Sequence, residues 1–159
     1  MKTGSKHKFF IFITSMFFII DVSTAQNTLS IKANDQTAHV RTIYKIEFTA
    51  AEEISPNAVF EIIFPKSFLL TNNIFSGSNT LNGGLDTEVR SDTVIVTRSG
   101  LGKAIPVGNK VDIMLSDIIN PGKEKEDYEI IINIRTDKAS LKTRTNKALV
   151  AVKPKGSLR

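Results

Sequence analysis

A polar–apolar alternation with a period of two constrains this chain more than any other feature. In Tyr44-Lys-Ile46-Glu-Phe48-Thr-Ala50 every second residue is apolar. Successive side chains of a strand point to opposite faces, so this pattern builds a half-buried strand. Val111-Asp-Ile113-Met-Leu115-Ser repeats it, as does Tyr128-Glu-Ile130-Ile-Ile132-Asn-Ile134-Arg. Ala58-Val-Phe-Glu-Ile-Ile-Phe64 is apolar on both parities except at Glu61, which suits a more deeply buried strand ended by Pro65. Thr28–Ala33, Glu88–Arg90, Thr93–Thr97 and Ala148–Val152 are weaker strand candidates.

Turn-forming sequence separates these runs: Ser55-Pro56-Asn57, Asn82-Gly83-Gly84, Ser99-Gly-Leu-Gly102, Gly108-Asn109 and Asn120-Pro121-Gly122. No segment after the N-terminal region sustains a helical period. Seven to nine short strands with frequent turns predict an all-β antiparallel fold, a sandwich or a barrel. The mixture of two-faced and one-faced strands favours the sandwich. No internal repeat interrupts it, so residues 26–153 read as one β-sandwich domain, followed by a basic tail over 154–159.

The N-terminus follows a different rule. Phe9–Ile20 is an apolar run of 12 residues, whereas a helix needs about 20 to span a hydrocarbon core. Lys2, Lys6 and Lys8 precede it, Asp21 ends it, and Ser23-Thr24-Ala25 follows with small residues at the −3 and −1 positions. This is the order of a cleavable signal peptide over 1–25, cut after Ala25. Removal takes three Lys and one Asp, leaving 18 Lys and Arg against 15 Asp and Glu, a net charge of +3. The expected location is therefore secreted, periplasmic or extracellular. The 134 residues left are the size of one domain, enough to bury about two-thirds of the unfolded surface.

With no Cys in the chain, thiolate metal sites, a Cys nucleophile and a lipid-anchored N-terminal Cys are excluded, and stability must come from an ordinary core. No Asn-x-Ser/Thr sequon occurs, and no second apolar span follows the first.

A family resemblance spreads over residues 40–136. An alternating strand leads to Phe64-Pro65-x-x-Phe68; Gly108-Asn-Lys-Val-Asp-Ile runs into Ile118-Ile-Asn120-Pro121-Gly; Tyr128 then opens an alternating strand. These features resemble the immunoglobulin-like β-sandwich modules of secreted and cell-surface microbial proteins. The resemblance implies the fold and is nearly silent about activity, because sandwiches host unrelated functions.

Chemistry is sparse. His39 is the one histidine after the signal region. A Ser/His/Asp hydrolase could be assembled only around it, and no nucleophile-elbow sequence accompanies it. Asp112 and Glu129 fall on the polar parity of alternating strands, where solvated charge is expected. Ser99-Gly100-Leu-Gly102-Lys103 superficially resembles a phosphate loop, but Ala-Ile-Pro106-Val-Gly108 follows where a helix would be required. It reads as an inter-strand loop. Asp86, Glu88 and Asp92, or Glu124, Glu126 and Asp127, offer oxygens without the spacing of a calcium loop. No cofactor or metal is implied.

Binding surfaces remain. Lys138, Lys142, Arg144, Lys147, Lys153 and Lys155 form the most basic stretch, without aromatics. For an exported chain this suits anionic surface polysaccharide rather than nucleic acid, although edge lysines also prevent sheet aggregation. There is no Trp, Tyr44 and Tyr128 lie on core parity with Phe48, Phe60 and Phe64, and Phe68 and Phe75 are the candidate exposed loop aromatics. The expected function is a non-catalytic binding or assembly protein at the cell envelope or outside the cell. Its partner would be an envelope or extracellular protein or an anionic polysaccharide. The contact would use loops 70–86 and 98–109 or an edge strand. The alternatives are a carbohydrate-binding accessory module and, last, a hydrolase using His39.

Overall fold

The computed structural model describes residues 29–137 and 143–156. The expected signal peptide, Lys138 and Lys142 lie outside them. Ten strands run in chain order: β1 (Ser30–Ala33), β2 (Arg41–Thr49), β3 (Val59–Ile63), β4 (Leu69–Leu70), β5 (Ser76–Gly77), β6 (Leu85–Arg90), β7 (Thr93–Arg98), β8 (Lys110–Ile119), β9 (Lys125–Arg135) and β10 (Arg144–Val152). Eight have four or more residues; β4 and β5 are two-residue pieces whose sequence carries no alternation.

The strands form two antiparallel sheets. In the first the order is β1-β2-β8-β4, with β5 also on β8; in the second it is β10-β9-β3-β7-β6. The alternation read from the sequence sets which face is buried. Tyr44, Ile46 and Phe48 of β2 and Ile113 and Leu115 of β8 point inward from the first sheet. They meet Phe60 and Ile62 of β3, Val94 and Val96 of β7 and Ile130, Ile132 and Ile134 of β9. Strand β3, apolar on both parities, is the central strand of its sheet, between β9 and β7. The chain is an immunoglobulin-like β-sandwich.

Phe64, Phe68, Asn120 and Tyr128, among the residues that carry the family resemblance, converge at one end. Phe64 and Phe68 lie 5.4 Å apart between ring centroids; Tyr44 meets them edge-on at 5.6 and 5.9 Å, and Tyr128 meets Phe68 at 5.4 Å. Such edge-to-face pairs suit the ring quadrupoles and add to apolar burial. The Tyr44 hydroxyl donates to Asn120 Oδ1, and the Asn120 carboxamide donates to the carbonyls of Asp35 (2.9 Å) and Thr37 (2.8 Å). Asn120, 2% exposed, thus joins the start of β2 to the end of β8. Phe68 is 6% exposed. This corrects the expectation of an exposed aromatic there: the chain folds back after Pro65, where the Phe68 N–H donates to the Pro65 carbonyl (2.9 Å), and turns the ring inward.

Candidate contact surfaces

At the opposite end, Arg98 organises the loops. The alternation of β7 points this residue inward at the sandwich mouth, where it is 2% exposed. Its guanidinium donates to the carbonyls of Ser55 (2.7 Å), Ile54 (3.3 Å), Lys103 (2.7 Å) and Asn82 (3.2 Å), and to Asn82 Oδ1 (3.4 Å). Among the described residues no carboxylate forms a salt bridge with it, so carbonyl dipoles alone compensate the charge. Burial lowers its pKa from the ordinary arginine value, and the side chain stays charged.

Three loops are locked around that group. Lys103 N–H donates to Asn82 Oδ1 (2.7 Å), Gly100 N–H to the Pro56 carbonyl (2.9 Å), and Gly84 N–H to Ser99 Oγ (2.9 Å). The approach is so close that a Cβ on Gly102 would stand 2.1 Å from the Asn82 carbonyl oxygen and 2.6 Å from Arg98 Nη2. The glycines of Ser99–Lys103 therefore serve loop packing in an inter-strand connection between β7 and β8. Leu101 stands at its tip, 88% exposed, and Val107, 62% exposed, caps the turn that follows. Large apolar side chains on a hydrogen-bonded platform lose little freedom on binding, which favours recognition.

The outer face of the first sheet is a second surface. Asp112 is 5% exposed there, not the solvated charge its parity suggested. The chain at 78–80 folds over it: Asp112 Oδ1 accepts from the hydroxyls of Ser78 (3.1 Å) and Thr80 (2.8 Å) and the N–H groups of Asn79 and Thr80 (both 3.0 Å), while Oδ2 accepts from Asn79 Nδ2 (3.1 Å). Desolvation pushes its pKa up, but the bonds from Thr80, Ser78 and Asn79 outweigh this, and the net direction is down. Beside it lies a cleft of about 370 Å³ lined by Lys45, Glu47, Thr49, Asn79 and Lys110. Phe75, 72% exposed, and Leu69, 58% exposed, stand farther along the same sheet.

The described residues of the basic C-terminal stretch are spread along β10 and the segment after it. Lys147 pairs with Glu129 (2.9 Å) on the outer face of the second sheet, Arg144 opens β10, and Lys153 and Lys155 are exposed beyond its end. His39 is exposed in the turn before β2, at φ 60°, with its ring against Gly122. Among the described residues its ring bonds no carboxylate. Among the described residues, no group of three or more His, Cys, Asp or Glu approaches metal-holding geometry, and no helix is long and apolar enough to cross a membrane. Sequence reading missed Arg98 because its polar tip hides on an apolar parity. The signal was present: an arginine in the inward register of Thr93-Val-Ile-Val-Thr-Arg98 must find buried acceptors.

No protein-family model matches the sequence, and no curated protein matches it. Solved structures do resemble the fold. The major pilin subunit BcpA of Bacillus cereus superimposes with a TM-score of 0.52 at 10% identity, over 80% of this chain and 40% of that one. The N-terminal domain of the Streptococcus gordonii adhesin Sgo0707 gives 0.50 at 14% identity, over 80% and 33%. This chain therefore spans less than half the length of either. The likeness is one of architecture, an immunoglobulin-like module of the kind found in microbial surface proteins.

Proposed function

We propose that this chain is a non-catalytic binding or assembly module acting at the cell envelope or outside the cell, with an envelope or extracellular protein as partner. One observation carries the reading: the loop end tied to Arg98 presents Leu101 and Val107 to solvent on a fixed frame. Exposed apolar groups on a rigid scaffold have the character of an interface centre. The fold shared with pilin and adhesin domains agrees with this reading. The test is capture of envelope proteins at high salt by the wild type and by Leu101→Ser/Val107→Ser. The wild type is expected to retain a partner that the variant loses; equal retention by both would remove the loop end from the contact.

A second reading, a carbohydrate-binding accessory module, draws on the cleft over Lys45, Glu47, Asn79 and Lys110, whose carboxylate, amide and ammonium groups could hydrogen-bond sugar hydroxyls. It has no exposed aromatic platform within it. Polysaccharide retained at high salt, and released by Glu47→Ala/Lys110→Ala, would promote this reading over the first.

A further inference from the structure

We propose that the outer face of the first sheet binds a linear acidic oligosaccharide, lying along β8 from the ring of Phe75 to the ammonium of Lys110. The inference rests on the carbohydrate-binding reading of the cleft beside Asp112, and extends that site to an aromatic platform and a ligand class.

Strand register draws the line. Alternation turns Lys110, Asp112, Met114 and Ser116 of β8 to the outer face, while Val111, Ile113 and Leu115 enter the core. Beside β8, Ser116 N–H donates to the Phe75 carbonyl (3.0 Å) and Phe75 N–H to Ser116 Oγ (3.2 Å). The next residue, Ser76, reaches Thr87 of the other sheet. Phe75 therefore points the opposite way, outward, at 72% exposure. From Ser116 to Lys110 the strand covers about 20 Å. Between them Gly77 pairs with Met114 and raises no side chain, so the floor stays low from the Phe75 ring to the cleft. Ile43, 40% exposed, borders the same stretch from β2.

The two ends of that line suit different parts of a sugar chain. A pyranose ring has an apolar C–H face that packs on an aromatic ring, while its hydroxyls stay at the rim in water. At the other end the cleft offers the Glu47 carboxylate as acceptor and the Lys110 ammonium as donor. Asn79 Nδ2 is spent on Asp112 Oδ2 (3.1 Å), which leaves the carboxamide oxygen to accept from a hydroxyl. A peptide finds less here. Backbone N–H and C=O groups lie in the plane of a sheet, toward neighbouring strands, and both β2 and β8 lie inside the strand order. The face offers a ligand side chains alone.

Charge selects an acidic chain. On this face β1, β2 and β8 carry Lys32, Arg41, Lys45 and Lys110 against Glu47, Asp112 and Asp117, four positive and three negative. Arg41 pairs with Asp117, and Lys45 with Glu47 (2.8 Å). The Asp112 oxygens are taken by Ser78, Asn79 and Thr80. Residues 67–81, which border the face, include no charged side chain. Lys32, opposite Lys45 in the register, and Lys110 are exposed and have no ion partner among the described residues. The unpaired charge is cationic, and a carboxylate on the ligand meets it.

The test titrates the protein calorimetrically with a galacturonate tetramer and with a neutral glucose tetramer. Saturable binding of the acidic oligomer is expected, about tenfold tighter than the neutral one. Phe75→Ala should weaken it about tenfold, and Phe75→Tyr should retain it. Lys110→Gln should bring the acidic oligomer down to the neutral affinity. Both positions are exposed, so these variants keep the fold. Methyl NMR on the wild type needs no variant: resonances of Ile43 and Met114 should shift with the acidic oligomer, and those of Leu101 and Val107 should not. Failure of the acidic oligomer to bind overturns the proposal. So does a neutral oligomer that binds as tightly, or acidic binding that polyglutamate displaces and neither Phe75→Ala nor Lys110→Gln weakens. Binding that Glu47→Ala/Lys110→Ala abolishes and Phe75→Ala leaves unchanged would confine the ligand to the cleft. That result would sink this inference and leave the carbohydrate reading standing, whereas a further failure to retain any polysaccharide would sink both.

Discussion

The two ends of the sandwich are closed by opposite means. At one, Asn120 bridges backbone carbonyls beneath an aromatic cluster of Tyr44, Phe64, Phe68 and Tyr128. At the other, a single guanidinium gathers the carbonyls of three loops. The aromatic end turns its large side chains inward; the Arg98 end turns Leu101 and Val107 outward. Closure by aromatic packing buries the rings of the cluster themselves, and the apolar groups left exposed nearby, Leu69 and Phe75, lie on the adjoining sheet face. Closure by a buried cation fixes the loop backbone and frees the tips. The aromatic end, where Phe64, Phe68, Asn120 and Tyr128 meet, is thus the structural end, and the Arg98 end carries the candidate contact.

The largest expected effect tests the aromatic end. Phe68→Ala removes a ring that touches Tyr44, Phe64 and Tyr128 and should cost about 4 kcal/mol, read by denaturant midpoint at constant m-value. Exchange of the 99–105 amides should not quicken beyond what the global loss dictates. Arg98→Met comes next, at about 3 kcal/mol, because the carbonyls of Ile54, Ser55, Asn82 and Lys103 lose their donor together. Here exchange at 54–57, 82–84 and 99–105 should quicken locally, and capture through Leu101 should weaken even where the fold persists. If both variants loosened both ends alike, the division of labour between them would collapse.

A smaller effect belongs to Asp112, which anchors 78–80 on the approach to the loop end. Its folded pKa lies below the ordinary carboxylate range, so at low pH the unfolded chain binds the extra proton first and stability rises with pH. The contribution is complete above about pH 4, the unfolded value, and disappears as pH falls through the folded value. Asp112→Asn replaces one acceptor oxygen by a donor facing other donors, and should cost about 2 kcal/mol at pH 7. Thermal melts from pH 5 down to pH 2 should fall more steeply for wild type than for the variant; parallel curves would mean that the carboxylate is not the group being titrated.

The architecture was legible because alternation dictates parity, and parity dictates burial: Tyr44, Phe60, Ile113 and Ile130 stand where their spacing put them. Parity alone misled wherever a third segment covered an outer face or an end. Asp112 occupies a polar position, yet Ser78–Thr80 folds over it; Phe68 sits in a loop, yet the turn after Pro65 drives it into the core. Strands β4 and β5 were invisible because two residues on β8 need no pattern of their own. Arg98 was hidden by the same limit, since all its acceptors but the Lys103 carbonyl come from loops 16 to 44 positions away.

The smallest prediction sharpens the contrast through backbone strain. The positive-φ positions that bear side chains, His39, Ser91 and Asp117, all lie toward the aromatic end, whereas Gly83 and Gly100 serve the loops at the other. Ser91, at φ 55°, opens the two-residue turn from β6 to β7, and the Asp92 carbonyl accepts the Phe64 N–H (2.8 Å). A side chain in the left-handed region costs about 1 kcal/mol, while glycine loses about 0.5 kcal/mol more chain entropy on folding. Ser91→Gly should therefore gain about 0.5 kcal/mol, raising Tm by about 2 °C. Gly102→Ala, at the opposite end, has no such margin: its Cβ would meet the Asn82 carbonyl and Arg98 together. An unchanged or lowered Tm for Ser91→Gly would mean that the serine hydroxyl compensates its backbone, and that the two ends differ in packing but not in strain.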